Sequence, residues 1–409
     1  MTIGKKIVLM ALAIVGLTLG AGLIYGASLL NFSTDIISKT FKQLDGEDEV
    51  KPIDATEPLT ILLMGVDMDQ ATRGGDWKEG RSDSMILVTV NPQTKETTMM
   101  SLTRDIMVEI AEANGESSGT IEKLNHSYSY GQAPMAIATI EKMMDVNIDR
   151  YIEINMDGLV ELVDAVGGIE VNNTLGFPIS ISEYEPAYTA IVPTGKQLVN
   201  GDQALVYARM RYDDPEGDIG RQRRQREVIT AIVKKLLQLD GMSQYKKILK
   251  AISNNMRTNI EITTATIPSL LGYRDSIGNL QSYQLRGMDE LVNEVYYQLP
   301  PSQHLLDMQN ILKKSIGLEE STDLVTNVKV YEAQMGIPTP INIYNAFTDL
   351  LEVEASPGVE AFDIEAITGT AASDSSGVSS TINTKSNDNQ GISTDTIVGT
   401  STQTETSNQ

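Results

Sequence analysis

The chain has 409 residues, a formal net charge of -23, no cysteine and two histidines. Lack of cysteine excludes disulfides and thiolate metal sites, and His126 with His304 cannot build a multi-histidine centre. An acidic balance argues against general nucleic-acid binding, which shows as a basic surface, while the length allows a sizeable core and two or three domains at most.

Residues 1–6 carry Lys5 and Lys6 and precede an uncharged run from Ile7 to Phe32. The apolar part is long enough to cross a hydrocarbon core and exceeds the core of a cleavable signal, with no clean A-x-A site after it. It predicts a retained transmembrane anchor over 7–30. Lysines before it and an acidic domain after it put residues 1–6 in the cytoplasm and the rest outside the cell membrane. Residues 31–58 end in the acidic, Pro-punctuated GEDEVKPIDATEP and read as a stalk.

The main domain is expected over 59–320. LTILLMGV (59–66), SMILVTV (84–90) and ETTMMSLT (96–103) read as strands, with a Gly- and Asp-rich loop between the first two. Helical spacing runs from about Asn125 to Met144, alternation returns in RYIEIN (150–155), and MDGLVELVDAVGG is a helix with a Gly stop before the short strand IEV. NGDQALVYARM reads as a helix capped near Asn200, and amphipathic helices follow out to about Leu318. Strands alternating with helices indicate an α/β fold, a layered sheet flanked by helices. A segment over 321–362 closes the domain, and the Ser/Thr/Asn-rich tail over 363–409 has the composition of a disordered segment.

Six arginines lie between Arg209 and Arg226, in ARMRYDDPEGDIGRQRRQR. Their mutual repulsion gives packing no reason to gather them. In the helix that follows, Val228, Ile229, Ile232, Val233, Leu236 and Leu237 form one stripe. At about 100° per residue, Arg221 and Gln225 project onto that stripe, Arg226 falls near its edge, and Arg223 and Arg224 lie outside it. A charge aimed at a core needs a counter-charge, either a buried carboxylate or an anionic ligand.

Two further clusters match this one in chemistry. The loop after the first strand offers Asp67, Arg81 and Asp83, and SLTRD ends the third strand with Arg104 and Asp105. In α/β sheets the carboxyl ends of strands are where ligands bind. Aspartates with arginines make a phosphate device, since carboxylates hold hydrated Mg2+ and arginine forks bind phosphate oxygens. A G-x-S-x-G match at Gly115–Gly119, with Ser117 and His126 as esterase candidates, sits in a polar loop where a nucleophile elbow needs a buried strand and a following helix.

These pieces together resemble the LytR-CpsA-Psr family of membrane-anchored envelope phosphotransferases. The matching motifs are GVD…GRSDSM (65–85), SLTRD (101–105), EKLNHSYSYG (122–131), DRYIEINMDGLVELVDAVGGIEV (149–171), NGDQALVYARMR (200–211) and GDIGRQRRQ (217–225). The resemblance implies Asp67 and Asp83 as Mg2+ ligands. It implies Arg81, Arg104, Arg209, Arg211, Arg221, Arg224 and Gln225 as the pyrophosphate-binding set. Arg104, Arg221 and Arg224 are its catalytic members, and Arg223 and Arg226 match no motif position. Asp105 and Lys123 fall on motif positions as well, and Asp105 is the candidate base. The loop after Asp67 is longer than usual in the family, which leaves Asp69 and Asp76 as alternatives to Asp67.

The implied reaction takes a polyprenyl-pyrophosphate-linked glycopolymer, such as a teichoic acid or capsule, and transfers its phospho-glycan to a peptidoglycan hydroxyl. An apolar pocket between sheet and helices would hold the lipid. The alternatives are a polyprenyl-pyrophosphate-glycan pyrophosphatase using the same metal site, and a membrane-bound transcription attenuator. Against the latter stands the short stretch before the membrane, too small for a DNA-binding domain.

Overall fold

A computed structural model describes residues 40–44, 52–68, 77, 80–239, 242–261 and 266–340. The expected anchor over 7–30 and the tail over 363–409 lie outside the described residues, and the chain divides into two units at Phe362. Among the described residues no helix is long and apolar enough to cross a membrane.

The centre is a mixed six-stranded sheet in the order β10-β3-β2-β1-β6-β9. β1 (Leu59–Val66), β2 (Ser82–Asn91) and β3 (Glu96–Leu102) form an antiparallel meander. β6 (Arg150–Asn155) adds in parallel to β1 after the crossover helix α1 (Leu124–Met144). β4 (Met107–Ala111) and β5 (Ser117–Lys123) make a separate hairpin, as do β7 (Ile169–Asn173) and β8 (Gly195–Val199). The turn from β4 to β5 contains Gly115, and β5 itself holds Gly119, both at positive φ, with Ser117 exposed at the start of that strand. No helix follows directly, so the nucleophile-elbow reading of that pentapeptide has no structural support.

Residues 256–299, expected as helices, are largely strands: β9 (Met256–Thr258), β10 (Leu280–Leu285), β11 (Met288–Val292) and β12 (Val295–Leu299). β9 and β10 are short edge strands, and β11–β12 is a hairpin outside the main sheet. β9 has three residues, and β10, β11 and β12 have five or six without regular apolar alternation, so the period of two that marks a strand is faint in them. Part of the expected stalk runs along β9: Phe41 bridges to Thr258, and the Lys42 carbonyl accepts from the Tyr151 hydroxyl at 2.7 Å.

Alternation along the strands gives the sheet two different faces. On one, Leu62, Met64, Leu87 and Met100 pack against Ile140 and Met143 of α1 and Leu305 and Met308 of α7 (Ser302–Ser315), forming the main core. The opposite face carries Leu63, Gly65, Ser84, Ile86, Ile152 and Ile154. Four helices stand over that second face: α2 (Met156–Ala165), α4 (Asp218–Leu237), α5 (Met242–Ile252) and α6 (Thr266–Leu271). They do not close onto it.

The helix boundaries follow local chemistry. The Asn155 side chain accepts from the Gly158 N–H to start α2, which ends before Gly167 and Gly168, both at positive φ. α3 (Gly201–Arg209) opens with a capping box in which Asn200 and Gln203 bond each other's backbone N–H.

Candidate active site

Between the sheet's second face and these helices lies a cavity of about 600 Å³. Most of its wall is apolar. Leu63, Ile86 and Ile152 come from the sheet, Val228, Ile232 and Leu236 from α4, Leu159 from α2, and Ile248 and Ile252 from α5. One part is charged: Asp67, Asp83, Arg104, Arg209, Arg211 and Arg221 line the same cavity, with Gln225. The apolar stripe of α4 that predicted a core contact therefore faces a void bounded at one part by charge.

Strand ends and a bulge aim the carboxylates. Asp67 follows directly on β1, and its N–H donates to the Arg81 carbonyl at 2.8 Å. On β2 the register jumps, with Gly65 opposite Ser84 and Val66 opposite Ser82, so Asp83 is the extra residue of a bulge. Gly65 lets the strands meet there, because a Cβ would come to 3.1 Å from the Ser84 Cβ. Asp83 binds Arg104 Nη1 at 3.0 Å and accepts from Asn125 Nδ2 at 3.2 Å. Burial alone would raise the Asp83 pKa, but the charges of Arg104 and Arg221 and the Asn125 amide outweigh it and hold the carboxyl below its ordinary value. For Arg104 burial likewise opposes the charge, and Asp83, Asp105 and Asp218 reverse the balance and raise its pKa.

Arg221 is in a different position. Its side chain is 8% exposed, it pairs with Asp218 at 2.8 Å, and its Nη2 donates to the Asp83 carbonyl at 3.3 Å. Its Nε has no hydrogen-bond partner among the described residues. Burial lowers its pKa; Asp218 and Asp83 oppose this, and the like charges of Arg104 and Arg211 add to it. Such a group is short of negative charge. Gln225, one turn on, is fixed by accepting from the Ser84 hydroxyl at 2.9 Å. Across the cavity Arg209 donates its Nε to Glu185 at 2.9 Å and its Nη1 to Asp67 at 3.4 Å.

Three of the expected site residues do not line the cavity. Arg81 is exposed, and its carbonyl accepts from the Asp67 N–H. Asp105 is bridged to Lys123 Nζ at 2.8 Å and to Arg104 Nε at 3.4 Å, which fixes the guanidinium that binds Asp83. Arg224 is buried between α3 and α4, paired with the 1%-exposed Asp214 and donating to the Tyr207 carbonyl at 2.9 Å. Gly220 makes room for this pair, since a Cβ there would stand 2.0 Å from Asp214 Oδ2. Arg226, at the stripe's edge, is also buried and donates to the Ser101 hydroxyl at 2.7 Å, tying α4 to β3. Arg223 pairs with Glu216 at 2.5 Å on the outer side.

Two aspartate carboxylates, Asp67 and Asp83, line the cavity. Among the described residues no three His, Asp or Glu side chains converge on one point. Asp67 and Asp83 could supply two oxygen ligands, leaving the rest of a Mg2+ shell to water and phosphate oxygens. Asp69 and Asp76, the alternatives to Asp67, lie outside the described residues.

The LytR_cpsA_psr family matches residues 29–314. The chain belongs to that family. Biofilm regulatory protein A of Streptococcus mutans is 52% identical over 345 residues, covering 83% of this chain and 84% of its own. The Enterococcus faecalis protein named polyisoprenyl-teichoic acid–peptidoglycan teichoic acid transferase TagU is 38% identical over 318 residues, covering 78% of this chain and 99% of its own. Among solved structures, protein gbs0355 of Streptococcus agalactiae superposes with a TM-score of 0.64 at 50% identity, over 70% of this chain and 96% of that one. In this LytR_cpsA_psr chain the site also uses residues that the sequence reading passed over. Glu185, Asn125 and Tyr212 touch the arginines or aspartates, and Ser84 holds Gln225. Asn125 and Ser84 lie inside quoted motifs and could have been read from them. Glu185 and Tyr212 sit in irregular segments whose approach to the cavity has no local signature.

Proposed function

We propose that the chain is a membrane-anchored extracellular phosphotransferase, moving a phospho-glycopolymer from a polyprenyl-pyrophosphate carrier onto peptidoglycan. The observation that carries this reading is the single cavity with a charged part and an apolar remainder. A polyprenyl pyrophosphate has the same division: a dianionic-to-trianionic head and a long hydrocarbon tail. Arg104, Arg209, Arg211 and Arg221 would bind the head by charge-assisted bonds, and the unpartnered Nε of Arg221 would gain an acceptor. The tail would lie against Ile152, Val228 and Ile248.

In the reaction the acceptor hydroxyl oxygen forms a bond to the sugar-linked phosphorus. The bond from that phosphorus to the bridging oxygen breaks, polyprenyl phosphate leaves with the electron pair, and the hydroxyl proton passes to the released phosphate or to water. Phosphoryl transfer depends chiefly on positioning and on neutralising charge in the transition state. Arg104 and Arg221 stand on either side of Asp83 and would take up that charge. Asp67 and Asp83 would hold Mg2+, which would supply positive charge to offset that of the phosphates. Asp105 acts as a positioning residue through Arg104, because two cations already engage its carboxylate.

The decisive experiment incubates the purified full chain with a lipid-pyrophosphate-linked glycan, peptidoglycan and Mg2+. Attachment of the glycan is expected, with none from Arg221→Ala or Arg104→Ala. Full activity of either variant would overturn the assignment. Release of free phospho-glycan without acceptor would make the protein a pyrophosphatase instead.

A further inference from the structure

Two loops from distant parts of the chain meet beside the charged part of the cavity. One is the connection between β7 and β8, held down by the buried Ile179, Ile181 and Val192. It carries Tyr184, Glu185 and Tyr188. The other is the break after α3, carrying Arg211, Tyr212 and Asp213. The Tyr184 and Tyr212 rings stack with centroids 4.4 Å apart at an interplanar angle of 31°. Tyr184 remains 47% and Tyr212 57% exposed.

The pair is fixed to the arginines. Arg211 lies 4.5 Å from the Tyr212 ring centroid and donates Nη2 to its hydroxyl at 2.7 Å. Arg209 lies 5.0 Å from the Tyr188 ring, and its partner Glu185 is the neighbour of Tyr184 in sequence. The Tyr184 hydroxyl donates to Asp213 Oδ1 at 3.4 Å. Tyr212 itself lines the cavity.

Hydrophobic burial does not account for two large rings left half in water. A rigid aromatic surface beside anion-binding arginines suits a ligand with an apolar face, several hydroxyls and an attached phosphate. A pyranose ring is such a ligand: its axial C–H bonds lie against an aromatic face, and its hydroxyls donate to carboxylates such as Asp213. We propose that Tyr184 and Tyr212 form the subsite for the sugar directly attached to the carrier pyrophosphate, with Asp213 accepting from a ring hydroxyl. This rests on the carrier reading given above and adds the residues that select the glycan.

The test compares binding of two detergent-solubilised probes to the full chain, by calorimetry: polyprenyl pyrophosphate and its N-acetylhexosaminyl ester. The wild type should bind the sugar-bearing lipid about tenfold more tightly, the scale of one good ring contact. Tyr184→Ala should abolish that gain without changing affinity for the sugar-free lipid, and Tyr184→Phe should keep most of it. The subsite is overturned if the wild type shows no gain, if Tyr184→Ala retains it, or if both affinities fall together. If the wild type binds neither lipid, the carrier reading fails and the subsite with it.

Discussion

Arg221 and Arg224 are three residues apart on one helix and do opposite things. Arg221 faces the cavity, short of negative charge. Arg224 faces α3 and has its counter-charge in Asp214. Arg221→Ala should lower transfer at least ~100-fold, as loss of a charge-stabilising donor does, while leaving the urea unfolding midpoint near that of the wild type. Arg224→Ala strands the Asp214 carboxylate in a dry site, where breaking a buried pair costs about 3–5 kcal/mol. Its defect should therefore appear first in urea unfolding monitored by circular dichroism. Wild-type stability in Arg224→Ala would refute the structural role. Periodicity placed Arg221 and Gln225 correctly because the cavity face of α4 is a single apolar stripe. It left Arg224 outside the stripe and Arg226 only at its edge, although both are buried, because α4 packs against other surfaces as well, and an ion pair or hydroxyl contact leaves no hydrophobic repeat behind.

Among the elements, β6 shows how a sheet can carry a charge inward. Glu153 is 2% exposed and accepts from the Tyr128 hydroxyl at 3.2 Å. Burial pushes its carboxyl up to about 7 against the pull of Arg257, the Tyr128 hydroxyl and Lys42. The folded state thus keeps a proton that the unfolded chain gives up near 4.5. Folding is penalised progressively as pH rises through that window, and fully above it. Glu153→Gln should gain stability over the wild type, by up to a few kcal/mol at pH 8 and by little at pH 5. Denaturant midpoints at the two pH values measure this, and an equal difference at both would show that Glu153 titrates normally in the fold. Of the strands that carry the site, β1, β2 and β3 were legible as apolar runs and β6 by its alternation. β9 to β12 were not, since edge and hairpin strands with polar residues lack the apolar alternation that marks a strand.

For the whole molecule the membrane carrier is the natural ligand of the proposed reaction. Polyprenyl phosphate should raise the unfolding temperature of the purified domain, a ligand at ~100 times its dissociation constant contributing about 2.7 kcal/mol. Ile152→Trp would fill part of the apolar wall. It should abolish the thermal shift from a long-chain polyprenyl phosphate while leaving the fold measurable by circular dichroism. An unchanged shift in that variant would place the lipid elsewhere. The family and its six ordered motifs were readable without coordinates. The identity of the apolar wall was not, because its residues come from strands β1, β2, β6 and β9 and helices α2 to α6 and look like ordinary core in each.

The sheet is backed by the main core on one face and borders the cavity along part of the other. Amide protection should follow that asymmetry, since local opening is easiest where few apolar contacts resist it. In the lipid-free protein the amides of α4 and α5 should exchange with deuterium well before those of α1 and α7. Bound lipid should slow the first pair and leave the second unchanged. The helices over the void would then serve as a gauge of occupancy, readable by mass spectrometry without any assay of transfer.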